Sequence, residues 1–376
     1  MSEIKFSNFI NEDGSGGPDL VGVTTFTSPY YFVPPSGTTA QRPSGEGLAP
    51  GMLRFNTDIG RLEVWRGDHW ATILGESPNL DGGARGLFGG GYVPSPATTY
   101  NVIDYITIST LGNAIDFGDR TEVKQTSGSH SSSTRGVWGG GYSVTNTIDF
   151  VTISSTGNAS DFGDLTQGRY HLKSFSSQTR GIFGLGFILT PAGTNVNTMD
   201  YITIASTGNA VDFGDASQSR HDPGSCSSST RGIFAGGRNP TNVNTIDYVT
   251  ISTTGDAIDF GDLTIAASGC GGCSNSTRGL FGGGNDTPSP ARNVIEYITI
   301  ATLGNAQDFG DLTQARSYLA ACSSATRGVF GGGQTPSHVN TIDYITILTT
   351  GSASDFGDLT QQKSALSACS NAHGGL

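Results

Sequence analysis

The chain has 376 residues, of which 14% are charged and 35% are hydrophobic, and its formal net charge is -12. An acidic chain without a block of lysine and arginine lacks the basic surface that nucleic-acid binding requires, so we expect no nucleic-acid partner. No apolar run approaches the ~20 residues of a membrane-spanning helix, and the first residues, Met-Ser-Glu-Ile-Lys, do not begin a signal peptide. We therefore expect synthesis in a cytoplasm and no membrane insertion.

The N-terminal 80 residues lie outside any internal repeat. Within residues 1–33, residues 13–18 (Asp-Gly-Ser-Gly-Gly-Pro) are typical of a flexible linker. Residues 34–43 have prolines at both ends and are expected to be extended. Residues 52–56 and 61–65 are separated by Thr-Asp-Ile-Gly, which predicts two strands of a β-hairpin.

From Arg85 onward, one phrase recurs six times. It reads Arg-Gly-apolar-aromatic-Gly, then Ile-Asp-Tyr-Ile-Thr-Ile, then Asp-Phe-Gly-Asp, with small variations. A period of about 50 residues is typical of an array of similar structural units. Residues shared by all copies are expected to build the unit, so we expect function where the copies differ. The copies begin at Arg85, Arg135, Arg180, Arg231, Arg278 and Arg327.

Each copy predicts four short strands, a to d. In the last copy these are residues 316–324, 329–330, 340–347 and 352–358. Strand c is rich in β-branched and aromatic residues and is apolar on both faces, which indicates that both faces are covered. A four-stranded sheet cannot cover its own two faces. We therefore expect the copies to pack radially, as the blades of a β-propeller.

The two ends of the array complement each other. It begins with a strand b at Arg85 and ends with a strand a at residues 363–371. We expect this C-terminal strand to complete the first blade, which gives six blades and removes exposed sheet edges. An open solenoid is the alternative, but it would need capping units.

The order of these signals resembles that of a kelch blade: a basic residue, strand a, strand b ending in Gly-Gly, an aromatic strand c and an aromatic residue near strand d. The resemblance covers residues 85–376. It implies an all-β, six-bladed kelch-like β-propeller, here preceded by an extended N-terminal anchor with a β-hairpin. Phenylalanine replaces the usual kelch tryptophan at Phe117, Phe162, Phe213, Phe260, Phe309 and Phe356.

A second resemblance concerns the protein's location. Residues 37–43 (Gly-Thr-Thr-Ala-Gln-Arg-Pro), residues 54–60 (Arg-Phe-Asn-Thr-Asp-Ile-Gly) and Trp70 resemble segments of bacteriophage tail-fibre and other virion fibre proteins. The repeated phrases resemble those of marine phage virion proteins. The resemblance implies a homotrimer on the tail or capsid surface of a virion, assembled in the host cytoplasm. Residues 1–33 would dock to other virion proteins, and residues 34–80 would be the trimerisation region.

Some connections between strands are uniform across the repeats, and others are variable. The a–b and c–d turns are nearly identical between copies, whereas the b–c loops differ in length and chemistry. Variable loops on a rigid scaffold typically carry binding, and aromatic and guanidinium groups suit sugars or other surface polymers. We expect a host cell-surface polysaccharide or protein to bind there; the alternative is that these side chains only cap their loops. The candidate residues are Tyr92, Tyr100, Tyr142, Phe187, Arg238, Arg292 and His338.

Three patterns could carry chemistry, but each has a structural explanation. The Gly-Gly-Gly runs precede no helix, so they lack the dipole of a phosphate site. The Asp-Phe-Gly-Asp phrases could bind calcium, but six copies favour turn hydrogen bonds or pairing with the repeat arginines. Cys270 and Cys273 could form a redox or metal pair, but Cys273 shares one repeat position with Cys226 and Cys322, which favours burial.

No catalytic residue, metal or cofactor is predicted, because the histidines have no ligand spacing and no nucleophile–base pattern occurs. The sequence therefore favours a non-enzymatic phage fibre whose propeller head binds a host surface or receptor. Two alternatives stay open. One is a capsid-surface decoration protein, and the other is a glycan-degrading fibre head.

Overall fold

The computed structural model describes residues 34–45, 47–72, 84–142, 144–189, 193–286 and 291–376. It is all-β, with 48% strand and 1% helix, which confirms the predicted class. The chain forms two compact units, Met1–Ser77 and Pro78–Leu376. Within the described residues no helix is long and apolar enough to cross a membrane. The predicted docking segment, residues 1–33, lies outside the described residues.

The described residues of the first unit form one small sheet in the order β1-β2-β3-β4. Strand β1 runs parallel to β2, and the other neighbours are antiparallel. The predicted hairpin is confirmed as β2 and β3. The elements are β1 (Ser36–Gly37), a 3-10 turn (Thr39–Gln41), β2 (Leu53–Asn56), β3 (Arg61–Trp65) and β4 (Trp70–Thr72).

Among its described residues, the second unit contains six four-stranded antiparallel sheets and three two-stranded hairpins. Its strands are β5 (Arg85–Gly89), β6 (Tyr92–Pro94), β7 (Ala97–Thr99), β8 (Val102–Thr107), β9 (Ile115–Asp119), β10 (Gly128–Ser131), β11 (Arg135–Gly139), β12 (Thr147–Thr152), β13 (Ser160–Asp164), β14 (Lys173–Ser176), β15 (Arg180–Gly184), β16 (Phe187–Ile188), β17 (Thr194–Asn195), β18 (Thr198–Thr203), β19 (Val211–Asp215), β20 (Gly224–Ser227), β21 (Arg231–Ala235), β22 (Thr245–Thr250), β23 (Ile258–Asp262), β24 (Gly271–Ser274), β25 (Arg278–Gly282), β26 (Val294–Thr299), β27 (Gln307–Asp311), β28 (Ala320–Ser323), β29 (Arg327–Gly331), β30 (Gln334–Thr335), β31 (Ser337–His338), β32 (Thr341–Thr346), β33 (Ser354–Asp358) and β34 (Ser367–Ser370).

Each repeat supplies strands b, c and d of one sheet. Strand a comes from the segment before the repeat arginine in sheets II to VI, and from the C-terminal segment in sheet I. The strand orders, a to d, are β34-β5-β8-β9 (sheet I), β10-β11-β12-β13 (sheet II), β14-β15-β18-β19 (sheet III), β20-β21-β22-β23 (sheet IV), β24-β25-β26-β27 (sheet V) and β28-β29-β32-β33 (sheet VI). The hairpins β6-β7, β16-β17 and β30-β31 lie in b–c loops.

The C-terminal strand pairs with the first repeat, as predicted. Strand β34 is antiparallel to β5, with Ser367 opposite Gly89 and Ser370 opposite Gly86. Beyond it, the N–H of His373 Nε2 donates to Ser131 O in sheet II at 3.0 Å, and Gly374 N donates to Ser274 O in sheet V at 3.0 Å. The C-terminal residues therefore lie between the a strands of different sheets.

The hydrophobic core lies between the sheets. Six buried clusters each join two successive sheets, and one of them joins sheet VI to sheet I through Phe356, Ile108 and Phe88. In every sheet a bulge between strands c and d leaves the phenylalanine of Asp-Phe-Gly-Asp unpaired, as at Phe356 in sheet VI. The side chain of this phenylalanine is buried. Each sheet packs against a neighbouring sheet on both sides, so both of its faces can be apolar.

Two sets of hydrogen bonds form closed cycles through all six sheets. In the first, each repeat arginine donates to a carbonyl after strand c of the next sheet, from Arg85 to Ile153 O at 2.9 Å through to Arg327 and Ile108 O at 2.8 Å. In the second, one serine of each a strand donates to the equivalent serine carbonyl of the preceding sheet at 2.6–2.8 Å. These serines are Ser131, Ser176, Ser227, Ser274, Ser323 and Ser370.

Candidate ligand-binding site

Six residues that precede the a strands have a left-handed backbone, with φ between 53° and 68°. This conformation costs a residue other than glycine about 1–2 kcal/mol, and it is rarest for a β-branched residue such as Thr126. The N–H of each of the six donates to the carbonyl of its equivalent in the preceding sheet at 2.7–2.9 Å, in another closed cycle. We call these residues the left-handed ring: Thr126, His171, Asp222, Gly269, Tyr318 and Ala365.

The left-handed ring keeps one backbone conformation but has six different side chains. The residue before each ring member forms a β-bridge with the residue that follows the glycines of strand b. Ser364, for example, exchanges backbone hydrogen bonds with Tyr92. The bridges fix a second set of varied side chains around the ring: Gln125 with Tyr142, Tyr170 with Phe187, His221 with Arg238, Ser268 with Asn285, Ser317 with Gln334, and Ser364 with Tyr92.

A cavity of about 380 Å³ opens beside this ring, and we call it the variable-face pocket. Its volume falls in the range of small-molecule sites. Its lining contains no lysine, arginine, aspartate or glutamate among the described residues. It is lined by Thr126, His171, Tyr318 and Ala365 of the ring, and by Tyr92, Gln125, Tyr142, Tyr170, Gln334 and Ser364.

Aromatic contacts hold one wall of the pocket. The ring of Tyr170 meets those of Tyr142 and Phe187 edge-on, with centroids 5.5 Å apart in both pairs. The imidazole of His171 lies 4.8 Å from the Tyr170 ring, between centroids. Edge-to-face packing fixes ring orientation, so the wall is formed before any ligand arrives.

A histidine–carboxylate pair supports the same wall from behind. His171 Nδ1 lies 2.8 Å from Asp222 Oδ1, and Asp222 is only 4% exposed. Burial raises the pKa of the Asp222 carboxyl, but the hydrogen bond with His171 and the charges of His171, His221 and Lys173 together outweigh it, so the pKa is lowered overall. Burial, together with the Asp222 charge, raises the pKa of Tyr318 to about 12. The Tyr318 phenol is therefore neutral at pH 7 and can donate a hydrogen bond.

The structure brings two of the seven predicted residues, Tyr92 and Tyr142, into the pocket lining. His338 is adjacent, with its ring centroid 6.2 Å from that of Tyr92. Phe187 supports Tyr170 without lining the pocket. Tyr100 is half-buried outside it, where its N–H donates to a backbone carbonyl.

The two predicted arginines have other partners. Arg238 is exposed, and its Nε donates to Pro240 O of its own loop at 3.0 Å. Arg292 is only 4% exposed, and its Nη2 lies 2.7 Å from Glu296 Oε2. The expectation that Arg292 presents its charge to a surface ligand is therefore wrong.

The role of Arg292 follows from the repeat. Every strand c carries a buried acid, and in sheets III, IV, VI and I its cation comes from one position of the d–a segment. For sheet V that position is Ala267, and Arg292 of the b–c loop supplies the charge to Glu296 instead. The six pairs are Arg120–Asp149, Arg169–Asp200, Arg220–Asp247, Arg292–Glu296, Arg316–Asp343 and Lys363–Asp104.

The contacts of the repeated Asp-Phe-Gly-Asp phrases hold neighbouring sheets together. In the Asp-Phe-Gly-Asp phrase, Asp119 N donates to Asn158 Oδ1 of the next sheet at 3.0 Å. The repeat arginines donate to carbonyls and stack on aromatic rings rather than pairing with these carboxylates. Arg278, for example, donates to Ile347 O, and its guanidinium carbon lies 4.3 Å from the Tyr297 ring centroid.

The five cysteines are free and buried, and burial raises the pKa of Cys273 to about 12. No group of three potential metal ligands occurs among the described residues.

Reasoning from the sequence missed the ring residues and Tyr170, because it compared the a–b turns, the c–d turns and the b–c loops but not the d–a segments. A usable signal was present in the d–a segments. The residue four positions before the repeated cysteine position differs in every copy, whereas its neighbours along strand a are mostly small.

Comparison with protein-family models gave no match for this chain, and a search of curated proteins gave none either.

Proposed function

We propose that the six sheets are the blades of a closed, six-bladed, kelch-like β-propeller and that this propeller is the head of a phage virion fibre. Three closed cycles of hydrogen bonds support closure, as does the pairing of β34 with β5. Without β34, strand β5 would be an edge strand of its sheet, whereas a closed propeller leaves only short, protected edges.

The proposed activity is binding to a host cell-surface polysaccharide or protein, without catalysis. The observation that carries it is the left-handed ring, where one backbone conformation carries six different residue types on the face of the b–c and d–a loops. Side chains that vary while the backbone stays constant and strained are typical of a ligand-binding site. A glycan-degrading head is less favoured, because most glycosidases use two carboxylates and the described pocket lining contains none.

The sheet of the first unit supports assembly into a homotrimer and docking to other virion proteins. Its polar face is the buried one, because Glu63 accepts hydrogen bonds from Arg42 and Asn56. The opposite face is apolar and more exposed; Leu53 is 45% and Leu62 is 38% exposed. Strand pairing places Leu53 beside Val64 and Leu62 beside Phe55, so these side chains are contiguous. A contiguous apolar face of this kind marks an interaction surface.

Immunoelectron microscopy of intact virions tests the proposal. An antibody to the propeller should label the tail tip. Label spread over the head would replace the tail-fibre assignment with the capsid-decoration alternative, and virions without label would refute a virion protein.

Multi-angle light scattering of the full chain tests the oligomer. We expect the mass of a trimer, and Leu53→Glu with Leu62→Glu should give a monomer. The control is Leu303→Glu, which changes a residue that is 58% exposed in the second unit and should leave the trimer intact. A monomeric wild-type chain would contradict the proposal.

A further inference from the structure

We infer that the variable-face pocket binds a neutral sugar, such as the terminal residues of a surface glycan. The inference depends on the proposed function only for the source of the sugar; the binding itself is argued from the pocket.

The chemistry of the lining points to a neutral polyol. Four tyrosines offer apolar ring faces together with hydroxyl groups, and Gln125 and Gln334 offer amide donors and acceptors. A sugar ring presents C–H faces and hydroxyl groups that these side chains can match. No lysine or arginine among the described lining residues could neutralise a phosphate, sulfate or uronate. An anionic ligand would therefore lose its hydration without a compensating lysine or arginine.

Backbone strain provides a second argument. Glycine adopts the left-handed conformation without cost, and Gly269 shows that this ring position accepts it. Thr126, His171 and Tyr318 occupy equivalent positions and line the pocket. These three residues therefore have a strained backbone at positions that glycine would occupy without strain. Backbone strain of this kind is concentrated at ligand-binding sites.

The pocket is also organised in advance. A side chain at Gly269 would place its Cβ 3.3 Å from the Tyr318 ring, so the glycine leaves room for that ring. Asp222 fixes His171, and Tyr142 with Phe187 fixes Tyr170. Fixed side chains lose little conformational entropy when a ligand binds, which raises affinity.

The test uses the full chain on an array of neutral and acidic glycans, followed by calorimetry with the best neutral ligand. Tyr170→Ala should weaken binding at least about tenfold, because it removes the centre of the aromatic wall. Thr126→Gly should weaken binding without lowering the melting temperature, since glycine relieves the strain. Val144→Gly is the matched control: it makes the same backbone change at a left-handed residue, with φ of 63°, that does not line the pocket, and it should leave the affinity unchanged.

A wild-type chain that binds no neutral glycan, or that prefers acidic ones, would overturn the inference. Unchanged affinity of the Tyr170→Ala variant would do the same. Host-cell binding separates the two proposals. Cells bound equally by wild type and Tyr170→Ala would refute the sugar pocket and leave the proposed function standing. Pocket-dependent glycan binding by a protein that labels no virions would refute the proposed function alone.

Discussion

Two glycines in sheet I allow the effect of sheet-on-sheet packing on stability to be measured separately from the effect of backbone strain. Gly118 lies in β9, Gly112 lies in the turn before it, and both have φ of 144°. A Cβ at Gly118 would lie 2.5 Å from Gly157 O in the turn of sheet II, whereas a Cβ at Gly112 would meet nothing within 4 Å. Gly118→Ala and Gly112→Ala therefore share the strain, and only the first adds a collision.

The expected difference follows from the contacts that the collision would displace. The turn of sheet II is held to β9 by Gly157 N donating to Phe117 O at 2.8 Å and by Ala159 N donating to Asp119 O at 2.7 Å. The Asp119 N–H also donates to Asn158 Oδ1. Strain should cost each variant about 1–3 kcal/mol. Losing three hydrogen bonds at about 0.5–1.5 kcal/mol each should cost Gly118→Ala roughly 2–4 kcal/mol more.

Urea unfolding of the full chain, followed by fluorescence of the buried Trp138 and by circular dichroism, measures both free energies. Gly118→Ala should unfold at a clearly lower urea concentration than Gly112→Ala. Equal midpoints for the two variants would refute the packing of sheet II against β9 described above.

Three further predictions concern buried polar groups. Asp343→Asn should cost about 3–5 kcal/mol in urea unfolding, because it leaves the fully buried Arg316 without its counter-charge; a cost near zero would contradict the pairing. Burial lowers the pKa of His130 to about 3 from 6.5, so only the unfolded chain takes up a proton between these values and stability falls as pH decreases from 6.5 towards 3. His130→Phe, which copies Phe175 of sheet III, should reduce this fall by up to about 1.4 kcal/mol per pH unit, and identical pH profiles would rule out a buried neutral imidazole. None of the five cysteines should react with Ellman's reagent at pH 8 in the native protein, whereas all five should react in urea; a fast-reacting native thiol would contradict their burial.

Much of the fold could be predicted because it is a local property of each repeat. A run of β-branched and aromatic residues marks strand c, and Gly-Gly marks the end of strand b. The unpaired strand types at the two ends of the array were enough to predict that β34 pairs with β5. The shared position of the cysteines correctly predicted burial rather than a Cys270–Cys273 bridge.

The candidate site was predicted less well. Tyr92 and Tyr142 were identified because b–c loops vary visibly in length, but Tyr170, His171 and Tyr318 lie in d–a segments that look uniform in length. Arg292 was misassigned because a loop position suggests exposure. Its burial depends on Ala267, a residue 25 positions earlier that leaves Glu296 without the usual cation.

The sequence alone determined the repeated sheet, its strand order and the positions that must be apolar, because these follow from periodicity within about 50 residues. Only the tertiary structure decided which side chains meet. The left-handed ring takes one residue from each of six repeats, and its members become neighbours only when the cycle of backbone hydrogen bonds closes. A ring residue's neighbours are therefore set by the packing of one sheet on the next, and no local pattern in the chain records them.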